Sequence, residues 1–177
     1  CESAKSGTET AVYHHCLHGI GHALMLIADL DLPLSLTLCG RLEGEEAQQR
    51  CASGAFMENV FNAGNPDHPA RYVRPDEPMY PCNIIDNRYQ EICYSSQASF
   101  FLEKSGQNFR EGADFCSRVP AAYQSSCFAA IGAGAVLNYS DNFPELKKIC
   151  DFAPAGQART SCVRGTAASW SDCMCWG

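Results

Sequence analysis

Four of the chain's five histidines, His14, His15, His18 and His22, stand within nine positions of the stretch Val12-Tyr-His-His-Cys-Leu-His-Gly-Ile-Gly-His-Ala-Leu24. Imidazole is the commonest transition-metal ligand and the side chain that exchanges its proton near neutral pH, so metal binding and acid–base catalysis are the chemistries to test. At about 100° per helical residue, His15, His18 and His22 share an arc of roughly 60°, with His14 on its edge. Glu58 stands seven residues after Cys51, and His22 stands six after Cys16. If the segments around these cysteines pack as neighbouring helices through Gly19 and Gly54, Glu58 approaches His18 and His22. Two imidazoles and a carboxylate form the ligand set of catalytic zinc and non-haem iron sites, and His15 as a third imidazole shifts the preference to zinc or copper.

The fifth histidine, His68, lies in a proline-rich stretch, residues 62–81, that also carries Arg71, Tyr72 and Arg74. Its five prolines read as a semi-rigid loop, placed to complete or cover a site on the preceding helices. Competing readings use the same residues. Glu58 and His22 suit a general acid–base pair without a metal, His18 or His22 suits non-covalent haem, and the histidines also suit a polar groove in which they merely bond to carboxylates. Neither His-Glu-x-x-His nor Cys-x-x-Cys-His occurs, and Ser53, Ser95 and Ser96 read as packing residues rather than nucleophiles.

Cysteine spacing shows what must position these groups. Cys16, Cys51, Cys93, Cys127 and Cys162 recur at intervals of 35, 42, 34 and 35 residues. The third residue after each is small: Gly19, Gly54, Ser96, Ala130 and Gly165. A second series, Cys39, Cys82, Cys116 and Cys150, precedes the first by 12, 11, 11 and 12 residues. Apolar residues at three- and four-residue steps predict long helices over 8–28, 45–63, 86–104, 121–138 and 156–170. Shorter helices are expected over 34–42, 109–119 and 144–152, with Pro33 and Pro144 in first turns. The expectation is an all-α fold of about five disulfide-stapled αα-hairpin repeats, a short solenoid or compact helical array forming one domain over residues 1–177. The predicted staples are Cys1–Cys16, Cys39–Cys51, Cys82–Cys93, Cys116–Cys127 and Cys150–Cys162, each contributing about 2–3 kcal/mol in the loop-entropy model. Cys173 and Cys175 are left to pair with each other or to begin a further unit. Trp170 and Trp176 read as a cap on the last repeat or as part of an interface, and Asn138-Tyr-Ser140 as a glycosylation sequon.

Composition narrows the setting. Twelve cysteines in 177 residues, without zinc-ribbon pairs, indicate an oxidising, extracytoplasmic compartment, secreted or periplasmic. The chain reads as a mature one whose signal peptide has been removed, and Cys1 also suits N-terminal lipidation. A net charge of −7 and a pI near 5.1 argue against nucleic acid and anionic membranes as partners. No apolar run reaches the roughly 18 residues of a spanning helix. The leading expectation is metal-dependent binding of a divalent transition metal (zinc, copper or iron) through His15, His18, His22 and Glu58. A metal-dependent hydrolase or oxygenase would add Glu58 and His68 as catalytic groups, with Arg71 positioning substrate. A metal-free scaffold for a protein or peptide partner is the third expectation. The offset of His18 is filled elsewhere by Ser53, Ser95, Ala129 and Arg164, and that of His22 by Met57, Ser99, Ala133 and Ala168, so the scaffold does not demand histidine there.

Overall fold

The computed structural model describes residues 1, 10–67, 70–74, 76–139 and 142–174. Among the described residues it holds eight α-helices and no strand: α1 Thr10–Ile27, α2 Leu32–Cys39, α3 Glu45–Phe61, α4 Asn87–Lys104, α5 Phe109–Arg118, α6 Ala121–Tyr139, α7 Phe143–Ile149 and α8 Gln157–Met174. None of these helices is long and apolar enough to cross a membrane. The helices agree with the predicted ones to within a few residues at each end, because their starts carry local chemistry. Asp31 caps α2 by accepting from the Leu34 N–H at 2.9 Å, with Pro33 in the first turn. Asn108 and Asn142 cap α5 and α7 in the same way.

All five predicted disulfides are present, Cys1–Cys16, Cys39–Cys51, Cys82–Cys93, Cys116–Cys127 and Cys150–Cys162. Four of them close loops of 11 or 12 residues. Those from Cys39, Cys116 and Cys150 clip a short helix, or the 3-10 turn that ends it, to the long one that follows, whereas Cys82 lies in a turn before α4 and the short helix expected around it is not formed. The pairing of Cys173 and Cys175, together with His68, Trp176 and the side chain of Asn138, lies outside the described residues.

The chain forms two compact units, residues 1–93 and 94–177. In the first, Leu17 and Met25 of α1, Leu32 and Leu36 of α2 and Phe56 of α3 are buried. In the second, Phe115, Phe128, Ile131, Val136 and Leu146 are buried, and the Phe101 and Phe115 rings stack with centroids 4.7 Å apart.

The most extensive helix pairing in the first unit is α1 with α3, and in the second α6 with α8. Helices α1 and α3 run parallel, since His14 meets Glu46 near their starts and His22 meets Glu58 near their ends. They approach so closely that a Cβ on Gly54 would run into the His18 carbonyl, and a Cβ on Gly21 into the Cys51 carbonyl. The expected contact through Gly19 is not the one formed. A Cβ there would meet nothing within 4 Å, because the crossing is offset by one half-turn and Gly21 faces α3 instead. This crossing sets the register that brings the histidines of α1 against the carboxylates of α3.

The described residues of the stretch 62–81 form a loop, as expected, beginning with a single 3-10 turn at Asn62–Gly64. Its backbone is tied to the end of α3, with Asn59 Nδ2 donating to the Tyr72 carbonyl at 3.1 Å and the Ala70 N–H to the Asn62 carbonyl at 3.2 Å.

Candidate functional site

Three side chains form a line across the α1–α3 crossing. His22 Nδ1 lies 2.6 Å from Glu58 Oε2, and His22 Nε2 lies 3.1 Å from His18 Nε2. The other carboxylate oxygen, Oε1, accepts from Asn62 Nδ2 at 2.8 Å, while the same amide also reaches the Glu58 carbonyl at 3.0 Å. Helical geometry explains each placement. His18 and His22 are one turn apart on α1, and Glu58 and Asn62 are one turn apart on α3, so each pair shares a face. Gly54, one turn before Glu58, lies against the His18 carbonyl and holds the two faces together.

With Glu58 ionised and both imidazoles neutral, the proton positions follow. An ionised carboxylate only accepts, so His22 Nδ1–H donates to Glu58. Neutral His22 then offers its Nε2 lone pair, which accepts from His18 Nε2–H. The His22 and Glu58 side chains are 27% and 18% exposed, a sheltered but open position. Burial, followed by the His22 and His15 imidazoles and the Arg50 guanidinium, holds His18 below the usual histidine range. A neutral imidazole with an available lone pair is what metal ligation or proton abstraction requires.

The remaining candidates are placed as follows. His15 is exposed on α1, close enough to His18 to perturb it. His14 donates instead to Glu46 Oε1 at 2.7 Å, a second link between the same helices that sequence reasoning left out. Arg71 is engaged at the α1–α2 turn, donating to Asp29 Oδ2 at 2.7 Å and to the Asp29 carbonyl at 2.6 Å. His68 lies outside the described residues. Asn62 was missed although it follows Glu58 by one turn, a spacing readable from the sequence once α3 is assigned.

Glu58 therefore faces the Nδ1 side of His22 rather than the space between the two Nε2 atoms. Among the described residues, no group of three or more His, Cys, Asp or Glu side chains is arranged around a common point in the manner of a metal site. The converging nitrogens are the two Nε2 atoms. Two nitrogens bound to one tetrahedral zinc at about 2.0–2.1 Å stand roughly 3.3–3.4 Å apart, so their 3.1 Å separation would open by a few tenths of an ångström. A carboxylate on the far nitrogen of a ligating histidine is the usual outer partner in such sites, fixing the tautomer and raising basicity.

No known protein family, curated protein or solved structure matches this chain.

Proposed function

We propose that this is an extracytoplasmic helical-hairpin repeat protein that binds a divalent transition metal, zinc in the first instance, through His18 and His22. The observation that carries the reading is the convergence of the two Nε2 atoms at 3.1 Å while Glu58 holds the opposite nitrogen of His22 at 2.6 Å. In this arrangement His18 and His22 are the ligands and Glu58 orients His22, with the exposed His15 available as a further nitrogen. His18 ligates as the neutral imidazole, its proton moving from Nε2 to Nδ1, and protonation to imidazolium competes with the metal, so affinity falls as pH falls. The five disulfides support the oxidising compartment, and the even spacing of their cysteines supports the repeat.

Competition for zinc between the protein and a chromophoric chelator tests the site. Replacing both ligands, His18→Ala with His22→Ala, is expected to lower affinity at least about 100-fold, and Glu58→Gln about 10–100-fold, the range for outer-shell partners. Wild-type affinity no higher than that of the double variant, with both proteins folded by circular dichroism, would sink the reading.

A hydrolase using the same ion is the second reading, favoured by the coordination positions that two protein ligands leave to water or substrate. Turnover of a chromogenic ester or phosphoester by zinc-loaded protein, lost in His22→Ala, is its signature. Absence of turnover across such a panel would leave binding as the function.

A further inference from the structure

We propose that a second copy of this chain completes the metal site, docking on the outer face of α1 so that His18 and His22 of both copies share one ion. The proposal rests on the metal reading above and names the partner of that site. His18 and His22 supply two nitrogens, half of a four-coordinate zinc sphere, and their Nε2 atoms meet 3.1 Å apart at a partly exposed position. Under two-fold symmetry the same pair from a partner supplies the other half, without any further residue type.

The surface bordering the site suits this occupant. Val12, His15, Gly19, Ala23 and Leu26 are exposed along one side of α1. The whole helix from Thr10 to Ile27 contains no Asp, Glu, Lys or Arg. Two copies of a chain with a net charge of −7 repel each other on most approaches, yet this face meets itself without opposing like charges. The ion adds two positive charges at the centre of the contact. Leu26 is 65% exposed, and on α3, beside Glu58, Met57 and Phe61 are 41% and 57% exposed. They are large apolar groups next to a polar centre, the composition of an interface core with the metal at its middle. His15 and His22 lie within about 60° of Gly19 around the helix, so a helix crossing at Gly19 passes over the histidines. Gly19 leaves room for that crossing, since a Cβ added there would meet nothing within 4 Å.

The test combines sedimentation velocity of the full chain with zinc content by equilibrium dialysis, in zinc chloride and in EDTA. The expected result is a monomer in EDTA and, with zinc, a dimer holding one ion per two chains. Gly19→Leu, whose Cβ meets nothing within 4 Å in the fold, is expected to weaken the zinc-dependent dimer at least about tenfold while still binding zinc, and His22→Ala to abolish dimer and zinc together. A monomer with one zinc per chain would overturn the proposal and leave the metal reading standing. A dimer that persists in EDTA or in His22→Ala would also overturn it. No zinc binding in either measurement would remove both.

Discussion

In the first unit, Gly54 of α3 lies on the His18 carbonyl and Gly21 of α1 on the Cys51 carbonyl. In the second unit, Gly165 of α8 lies on the Ala129 carbonyl and Gly132 of α6 on the Cys162 carbonyl. Each of the four positions is displaced from its counterpart by 111 residues, as Cys16 is from Cys127 and Cys51 from Cys162. The same shift carries His18 to Ala129, His22 to Ala133 and Glu58 to Ser169. One backbone crossing thus occurs twice, once with two imidazoles and a carboxylate beside it and once with small side chains. The crossing needs its glycines, and it forms without the histidines.

The sharpest way to break this comparison is to add a methyl group at the crossing. Gly54→Ala and Gly165→Ala each force a Cβ into a backbone carbonyl that cannot swing aside, so each is expected to cost about 1–3 kcal/mol or more. Gly19→Ala, one half-turn from Gly21 but pointing into open space, is expected instead to stabilise by up to about 1 kcal/mol through helix propensity. Thermal unfolding followed by circular dichroism should therefore move in opposite directions for Gly54→Ala and Gly19→Ala. Equal destabilisation by the two would show that close approach is not what selects glycine.

These same glycines mark the limit of what the sequence disclosed. The staples were legible because an 11- or 12-residue interval recurs four times, and a helix, a turn and part of a second helix fit within it. Long helices were legible from apolar periodicity and from caps such as Asp31. Aligning the long helices on their cysteines points to Gly19 as the partner of Gly54, because it finds the residue they have in common, the third after the cysteine. A crossing between two successive long helices pairs different offsets, here the fifth on α1 with the third on α3, and only the three-dimensional approach selects that pairing. The proximity of Glu58 to His22 survived the error, since both lie one turn beyond their glycine contacts. Spacing places His15, His18 and His22 on one face of α1 and Glu58 near it on α3; which nitrogen of His22 the carboxylate takes depends on side-chain geometry that spacing does not encode.

Transplanting the chemistry sharpens the comparison further. If the crossing is a neutral platform, Ala129→His, Ala133→His and Ser169→Glu together should install in the second unit the arrangement present in the first. The expected outcome is about twice the zinc bound per chain in dialysis, with the added site within about tenfold of the native one, since a well-placed outer carboxylate modulates affinity by about 10–100-fold. Failure of the transplant, with the variant still folded, would mean that the first unit supplies something more, and His15 and the loop at 62–81 would become the next residues to alter.

The smallest expected difference is in acid. In the zinc-free protein, burial and the neighbouring His22, His15 and Arg50 depress the His18 pKa below its unfolded value of 6.5. Between the folded and unfolded values, the unfolded chain therefore holds a proton that the folded chain does not, and stability rises with pH across that window. The contribution is fully present above about pH 6.5, declines as pH falls from there toward the folded value, and is constant below it. At Ala129 in the second unit the corresponding position has nothing to titrate. Urea midpoints at pH 7.5 and 5.5 should accordingly differ more for the wild type than for His18→Ala, with the variant relatively better off in acid. An identical pH dependence in the two proteins would show that the His18–His22 pair carries no strain against protonation, and the neutral, lone-pair-bearing imidazole on which metal ligation depends would lose its physical basis.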